Sequence, residues 1–428
     1  MKKLIFSLLL LCAFALPAQA AGITKYPALN EASFWQKNFP AGEDMLLDEE
    51  QIQAFNGQII AKSPTVYDLS KYPQSVSGQQ LKEWVDDYDW LFDEDLYVKG
   101  KALSAAYKQL IIAQLNIDAI PQNSQVEYAV TICRVNLRGL PTNEGWFYSA
   151  SDTNFDQLQL TALDPAEPVV VLHKSASGNF AFVQMRNYRG WLPVWTLGFA
   201  DKKAWLEYAD PSQFLTIVAD KVKLKTDGKE NLFQMGARIP VRDMTDKGYT
   251  VLFPGRDKDG KLVEITAALN DDDDKYILGS LVYTRHNIIA QAFKFLDAPY
   301  GWGGLQDSVD CSALIERVYR TVGVNLPRDA DEQEETAGVQ FVLEGLPNEA
   351  REAMFSGVLP GDVLFMPGHT LLYLGRNQGV HYAIHSLGSH YESGQRVRIM
   401  QVVVSDLSLR TSSGKQYFEV LTGVLSYR

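Results

Sequence analysis

The chain has 428 residues, 46% of them apolar and 21% charged, with 40 Lys and Arg against 52 Asp and Glu for a net charge of −12. That length and apolar content supply roughly two to four packed domains. The acidic balance excludes a general nucleic-acid binder, which needs a basic face to meet phosphates.

Met1-Lys2-Lys3, an apolar run from Leu4 to Leu16 and then Pro17-Ala18-Gln19-Ala20-Ala21 form the charged, apolar and small-residue parts of a secretory signal, so residues 1–20 are expected to be removed after Ala20. The run is too short to span a bilayer, and no later segment is long enough, so the mature chain is expected to lack a transmembrane segment. Cys12 follows Leu11 rather than a small residue and reads as part of the signal, not as a lipid attachment site. The expected product is exported and unlipidated, compatible with a periplasm or cell envelope. It keeps Cys133 and Cys311, and an unpaired thiol in an oxidising compartment invites oxidation unless it is used or buried. Cys133 reads as a small buried hydrophobe.

Residues 21–125 read as a mostly helical domain. Asp48-Glu49-Glu50 opens a segment with Ile52, Phe55 and Ile59 at helical spacing, and residues 78–91 and 101–115 offer further apolar faces. The aromatic residues here, Trp35, Trp84 and Trp90 among them, read as packing surface. From 126 to 202 the pattern changes to short strands, with a long polar loop from Gly139 to Leu158. A second small β unit is expected over 203–270, with a turn at Asp257-Lys258-Asp259-Gly260. The acidic run Asp271 to Asp274 reads as a solvated loop opening the last segment, 271–428, because it lacks interleaved cation-ligand spacing.

Residues 300–312, Tyr-Gly-Trp-Gly-Gly-Leu-Gln-Asp-Ser-Val-Asp-Cys-Ser, form a glycine-rich loop that delivers Cys311 to the start of an apolar-periodic helix. A helix N-terminus presents unpaired N–H groups and partial positive charge, which favour thiolate over thiol and can hold an oxyanion. Downstream, Gly368-His369-Thr370-Leu371-Leu372-Tyr373 reads as a strand with His369, Leu371 and Tyr373 on one face. A second strand carries His381 and His385, about 13 Å apart at strand rise, so only one of them can reach the His369 ring. The same spacing argues against a metal site, since a four-residue separation chelates on a helix and not on a strand. His173 reads as a strand residue, and His286 and His390 as surface or capping residues. Cys311 as nucleophile, His369 as base and a polar residue on the next strand make a papain-like arrangement needing no cofactor.

Tyr300-Gly-Trp-Gly-Gly304, Asp310-Cys311-Ser312, Leu326-Pro327-Arg328, Pro360-Gly361-Asp362-Val363-Leu364-Phe365 and the His369 strand occur in the order seen in NlpC-type (NlpC/p60) cell-wall cysteine peptidases, which this part of the chain resembles. Upstream, Arg189-Gly190-Trp191-Leu192 resembles the closing strand of a bacterial SH3-like barrel. The resemblance implies an α+β fold, with a papain-like catalytic domain preceded by two small SH3-like β-barrels and a helical N-terminal domain. It favours His385 as the third residue, because Ile384-His385-Ser386 resembles the family's strand end. It implies that Tyr300 and Trp302 line the groove and that Asp310 and Ser312 hold the free amino group of an N-terminal L-alanine. The reaction implied is hydrolysis of the γ-D-glutamyl–diamino acid bond of peptidoglycan stem peptides, with the 139–158 loop closing one end of the groove. Intact murein as substrate, acyl transfer by the same Cys-His pair, and a non-catalytic wall-binding role are the alternatives. Ala313, Thr370-Leu371 and Asp329-Ala330 depart from the family's usual residues at positions that bear on groove shape and leave the nucleophile and base intact.

Overall fold

The computed structural model describes residues 22–226, 228–271 and 274–428. The expected signal segment 1–20, with Cys12, lies outside the described residues, as do Asp272 and Asp273 of the acidic run. Asp48 opens the first long helix, α1 (Glu49–Lys62), with a reciprocal cap: its carboxylate accepts from Gln51 N and its own N–H donates to Gln51 Oε1, both at 2.9 Å. The buried face of α1, Phe55 and Ile59, packs with Leu29 and Trp35 into the core of the C-terminal segment rather than into a helical domain of its own. Helices α2 (Gly78–Val85) and α3 (Ala105–Leu115) instead bury Leu81, Val85, Ile111 and Leu115 against Trp146, Trp191 and Phe182 of the first β unit. The stretch read as one helical domain is thus divided between two cores. Sequence periodicity reports that a helix has an apolar face, not what covers it.

The first β unit comprises β1 (Glu127–Thr131), β2 (Val135–Arg138), β3 (Gln159–Leu163), β4 (Pro168–Lys174), β5 (Phe180–Met185), β6 (Tyr188–Pro193) and β7 (Leu197–Ala200) in the sheet order β7-β1-β4-β5-β6-β2-β3. Val169 and Val171 face the barrel interior, while Val170 and Leu172 face the helices. Both faces are covered, so the strand reads as a continuous apolar run instead of alternating. Helix α4 (Lys202–Ala209) leads to the second β unit. There β8 (Phe214–Ile217), a hairpin of β9 (Lys221–Thr226) and β10 (Lys229–Gln234), β11 (Arg238–Thr245), β12 (Gly248–Arg256) and β13 (Leu262–Asn270) are followed by β14 (Tyr276–Leu278). Strand β14 pairs with β8, so this unit runs past the boundary expected at 270.

The C-terminal segment is a six-stranded antiparallel sheet of β15 (Val339–Val342), β16 (Val363–Met366), β17 (His369–Asn377), β18 (Val380–Glu392), β19 (Gln395–Asp406) and β20 (Gly423–Ser426), in the order β15-β20-β16-β17-β18-β19. Helices α5 (Arg285–Phe293) and α6 (Cys311–Arg320) cover one face, with Leu314, Ile315 and Val318 packed on Leu372, Leu374, Ile384 and Val404. The outer edge of β19 is covered, as an exposed edge strand requires. Thr24 N donates to Val404 O at 3.0 Å, and Tyr300 N to Met400 O at 2.9 Å. The whole is an α+β fold. Among the described residues no helix is long and apolar enough to cross a membrane.

Candidate active site

The glycine loop before Cys311 is shaped by what it packs on. Gly303 and Gly304 adopt φ of +55° and +83°, and a Cβ at Gly303 would lie 2.6 Å from Gln159 Cγ, so neither side chain nor ordinary backbone geometry fits there. Gln159 on β3 donates to Gly303 O at 2.7 Å and accepts from Arg138 Nη1 at 2.8 Å. Arg138 in turn pairs with Asp156 at 2.7 Å, and Asp156 O accepts from Trp302 Nε1 at 2.9 Å. Phe155 stands 6.0 Å from the Tyr300 ring and 5.6 Å from the Trp302 ring, centroid to centroid. The long loop between β2 and β3 therefore lies directly against the two aromatic residues that precede the cysteine.

Asp310 is the N-cap of α6, with Oδ1 accepting from Ala313 N at 2.9 Å. It is buried, and its remaining capacity is filled by Ser312 Oγ at 3.3 Å, Gly303 N at 2.8 Å and Arg328 Nη2 at 2.6 Å. Arg328 spends its other donors on Ser312 Oγ at 2.8 Å and Thr161 Oγ1 at 3.0 Å. Two acceptor contacts on each carboxylate oxygen leave Asp310 no lone pair aimed at the groove. A direct contact from Asp310 to a substrate ammonium, as the resemblance implies, has no geometric support in this arrangement.

Cys311 keeps part of its surface accessible. Backbone N–H groups of Ser312 and Thr370 reach its sulfur, which sets the thiol against the first turn of α6 and the start of β17, next to His369. The helix-terminus argument leads to a lowered thiol pKa. Here burial, and after it the Asp310 carboxylate, push the thiol up to about 12 against the amides and Arg328. Burial likewise pushes the His369 imidazole down to about 4. Burial thus favours the neutral form of each group.

His369 Nε2 lies 2.7 Å from His385 Nδ1, and His385 Nε2 lies 2.9 Å from Ser405 Oγ. His385 is fully buried, and burial with the neighbouring His369 and His390 holds its pKa well below the usual imidazole range. Two protonation patterns satisfy the row, and the one that suits a base is that in which His369 Nε2–H donates to His385 Nδ1 and His385 Nε2–H donates to Ser405 Oγ. That pattern leaves His369 Nδ1 as the free, basic nitrogen. Tyr417 stands over both rings at 6.1 and 6.3 Å.

His381 is placed elsewhere, with Nδ1 2.7 Å from Tyr373 OH and its ring stacked on Phe418 at 5.6 Å. His390, read as a surface or capping residue, is buried, with Nε2 3.4 Å from Glu392 Oε1. His173 and His286 bond to backbone carbonyls of Leu115 and Phe39. Cys133 and Cys311 are both free thiols, and Cys133 is part-exposed rather than fully buried. Sequence reasoning missed Arg328 and Ser405 as site residues. Arg328 stood in a motif without a role, and Ser405 is the polar break in the run Val402-Val403-Val404-Ser405.

Residues 297–404 match the model of the NlpC/P60 family and residues 146–193 that of the SH3 domain, SH3b1 type. The chain thus carries an NlpC/P60 papain-like domain preceded by an SH3b-type domain. It is 35% identical over 101 residues to dipeptidyl-peptidase 6 of Lysinibacillus sphaericus, covering 23% of this chain and 33% of that protein. It is 26% identical over 111 residues to the bifunctional muramidase/DL-endopeptidase CwlT of Bacillus subtilis (strain 168), covering 26% of this chain and 32% of that protein. The chain therefore spans about a third of the length of these curated relatives. A solved NlpC/P60 endopeptidase from Photobacterium damselae subsp. piscicida superposes with a TM-score of 0.74 at 18% identity, over 90% of this chain and 94% of that one, a likeness of fold.

Proposed function

We propose that this chain, with an NlpC/P60 domain behind an SH3b-type domain, is a cysteine peptidase. Its proposed reaction is hydrolysis of the γ-D-glutamyl–diamino acid bond of peptidoglycan stem peptides, with a preference for peptides that begin with a free L-alanine. Cys311 Sγ attacks the γ-glutamyl carbonyl as His369 takes its proton, and N–H groups at the start of α6 stabilise the oxyanion. His369 then protonates the leaving amine and activates water for deacylation. His385, fixed by Ser405, holds the His369 ring in the productive tautomer. Because burial favours the neutral thiol and imidazole, holding the carbonyl in place as the proton is transferred is part of the proposed mechanism.

The observation that supports a small substrate is the packing of Phe155 against Tyr300 and Trp302, which on this reading closes one end of the proposed groove. A glycan-linked stem peptide continues in that direction, and a released peptide ends there. Tyr300 and Trp302 are the proposed groove lining, while Asp310 and Ser312 act through the capped start of α6. The site requires no cofactor, and the expected cellular setting is the envelope. Mass spectrometry of defined muropeptides after incubation with the mature protein tests the reading. Cleavage between D-glutamate and the diamino acid, faster when the L-alanine amine is free, is the expected result; equal rates on peptides still joined to muramic acid would point to wall remodelling, and transfer to added amines would identify an acyltransferase.

A further inference from the structure

Behind α6, at the opposite end from Cys311, the β units, α1 and the C-terminal segment line an open cleft of about 1040 Å3. Its lining includes Ile52 and Asn56 of α1, Glu167 and Arg186 of the first β unit, Arg238 at the start of β11 and Arg320 at the end of α6. Three guanidinium groups therefore meet there from three parts of the fold. Arg320 Nη1 pairs with Glu167 at 2.6 Å, while Arg186 reaches Glu316 and Asn325, each at 3.1 Å. Glu316 is shared with Arg317 at 3.4 Å. Arg238 has its guanidinium carbon 4.4 Å from the Phe214 ring centroid, and among the described residues no carboxylate pairs with it. The buried Nε atoms of Arg186, Arg238 and Arg320 all lack an acceptor among the described residues.

Guanidinium groups stay charged, so a part-buried cluster with one more cation than its carboxylate partners favours an added anion. The mutual repulsion is visible at Arg238, which burial and then Arg320 and Arg186 push down to about 9. Glu167, the nearest carboxylate, is held down to about 2 by Arg320 and Arg186 against the effect of burial, so it is already ionised and in use.

We propose that Arg186, Arg238 and Arg320 form an oxyanion-binding site that takes a single carboxylate or phosphate group, separate from the candidate active site. The planar forks match such a group, and Arg238, which has no carboxylate partner among the described residues, lines the space together with Arg186 and Arg320. The cleft is far larger than one ion, so the oxyanion is the head of a larger molecule. Acidic residues on the lining, including Asp48, Asp68 and Asp210, disfavour an extended polyanion. Occupation ties the two β units to α6, whose length places the site about 14 Å along the helix from the cysteine at 1.5 Å per residue.

The test is thermal melting of the full chain in chloride buffer at constant ionic strength, titrated with inorganic phosphate and separately with succinate. A saturable rise in Tm with at least one of them is expected, and which one responds assigns the head group as phosphate or carboxylate. Arg238→Gln should weaken the apparent affinity at least tenfold; Arg238→Lys, which keeps the charge but not the fork, supplies the same comparison if the Gln variant does not fold. No saturable response to either anion overturns the proposal. A response unchanged by substitution of Arg238 also overturns it, since binding would then lie elsewhere, for example at the N-terminus of α6.

Discussion

Asp310 and Arg328 form a buried ion pair of 2.6 Å directly beneath the cysteine-bearing turn, with Ser312 and Thr161 closing the remaining bonds. The pair makes the start of α6 a fixed platform. Arg328→Met should leave the Asp310 carboxylate buried and unpaired and destabilise the protein by about 3–5 kcal/mol. Denaturant unfolding reads this directly, and a loss below about 1 kcal/mol would show that the pair contributes little.

Cys311→Ala should abolish hydrolysis with a melting transition close to that of the wild type, since the change removes one polarisable atom at a loop end. Cys133→Ser should stay within a few-fold of wild-type turnover. A collapsed transition in the first variant, or inactivity in the second, would reverse the roles given to the two thiols.

His385→Ala should reduce turnover far more than His381→Ala, because only His385 touches the His369 ring while His381 is engaged by Tyr373 and Phe418. Ser405→Ala should lower kcat by about tenfold, the usual order for losing an outer hydrogen-bond partner. KM should change little, and the acid limb of the pH profile should move. A KM effect alone would assign Ser405 to general packing.

The pH dependence follows from the two opposed shifts. His369 is held down to about 4, so the neutral base persists well below pH 6.5 and activity should fall only on approach to that value. Between about 6.5 and 4 the unfolded chain binds a proton that the native imidazole refuses, so stability present above 6.5 is lost as pH falls. Cys311, pushed up to about 12, behaves in the opposite sense: the unfolded thiol ionises near 9 while the native one does not, so stability is lost above that pH. Cys311→Ala should remove part of the alkaline loss and leave the acid limb in place. Identical alkaline profiles in the two proteins would contradict the raised thiol.

The order of elements was legible because strands and helices here carry their signals locally: Asp48 before Glu49-Glu50, the apolar run Val169 to Leu172, the glycines before Cys311. What was not legible depends on contacts far apart in sequence. Nothing near Phe55 indicates that it packs with α6, and nothing near Asp310 indicates that Arg328 saturates it. The balance of burial and charge at Cys311 was not legible for the same reason. A helix N-terminus is visible in sequence, whereas the burial and the carboxylate that outweigh it arise from the folded surroundings.

Gly22, Ile23 and Thr24 lie alongside residues 404–406, and the Gly22 N–H reaches Asp406 Oδ2 at 2.9 Å across 384 residues of chain. The segment of the described chain made first thus waits for β19, the strand that carries Ser405. A nascent chain can close its early β units as they emerge, but it cannot set the histidine row until β19 has been made. The fold itself therefore makes assembly of the histidine row depend on pairing between widely separated segments of the described chain.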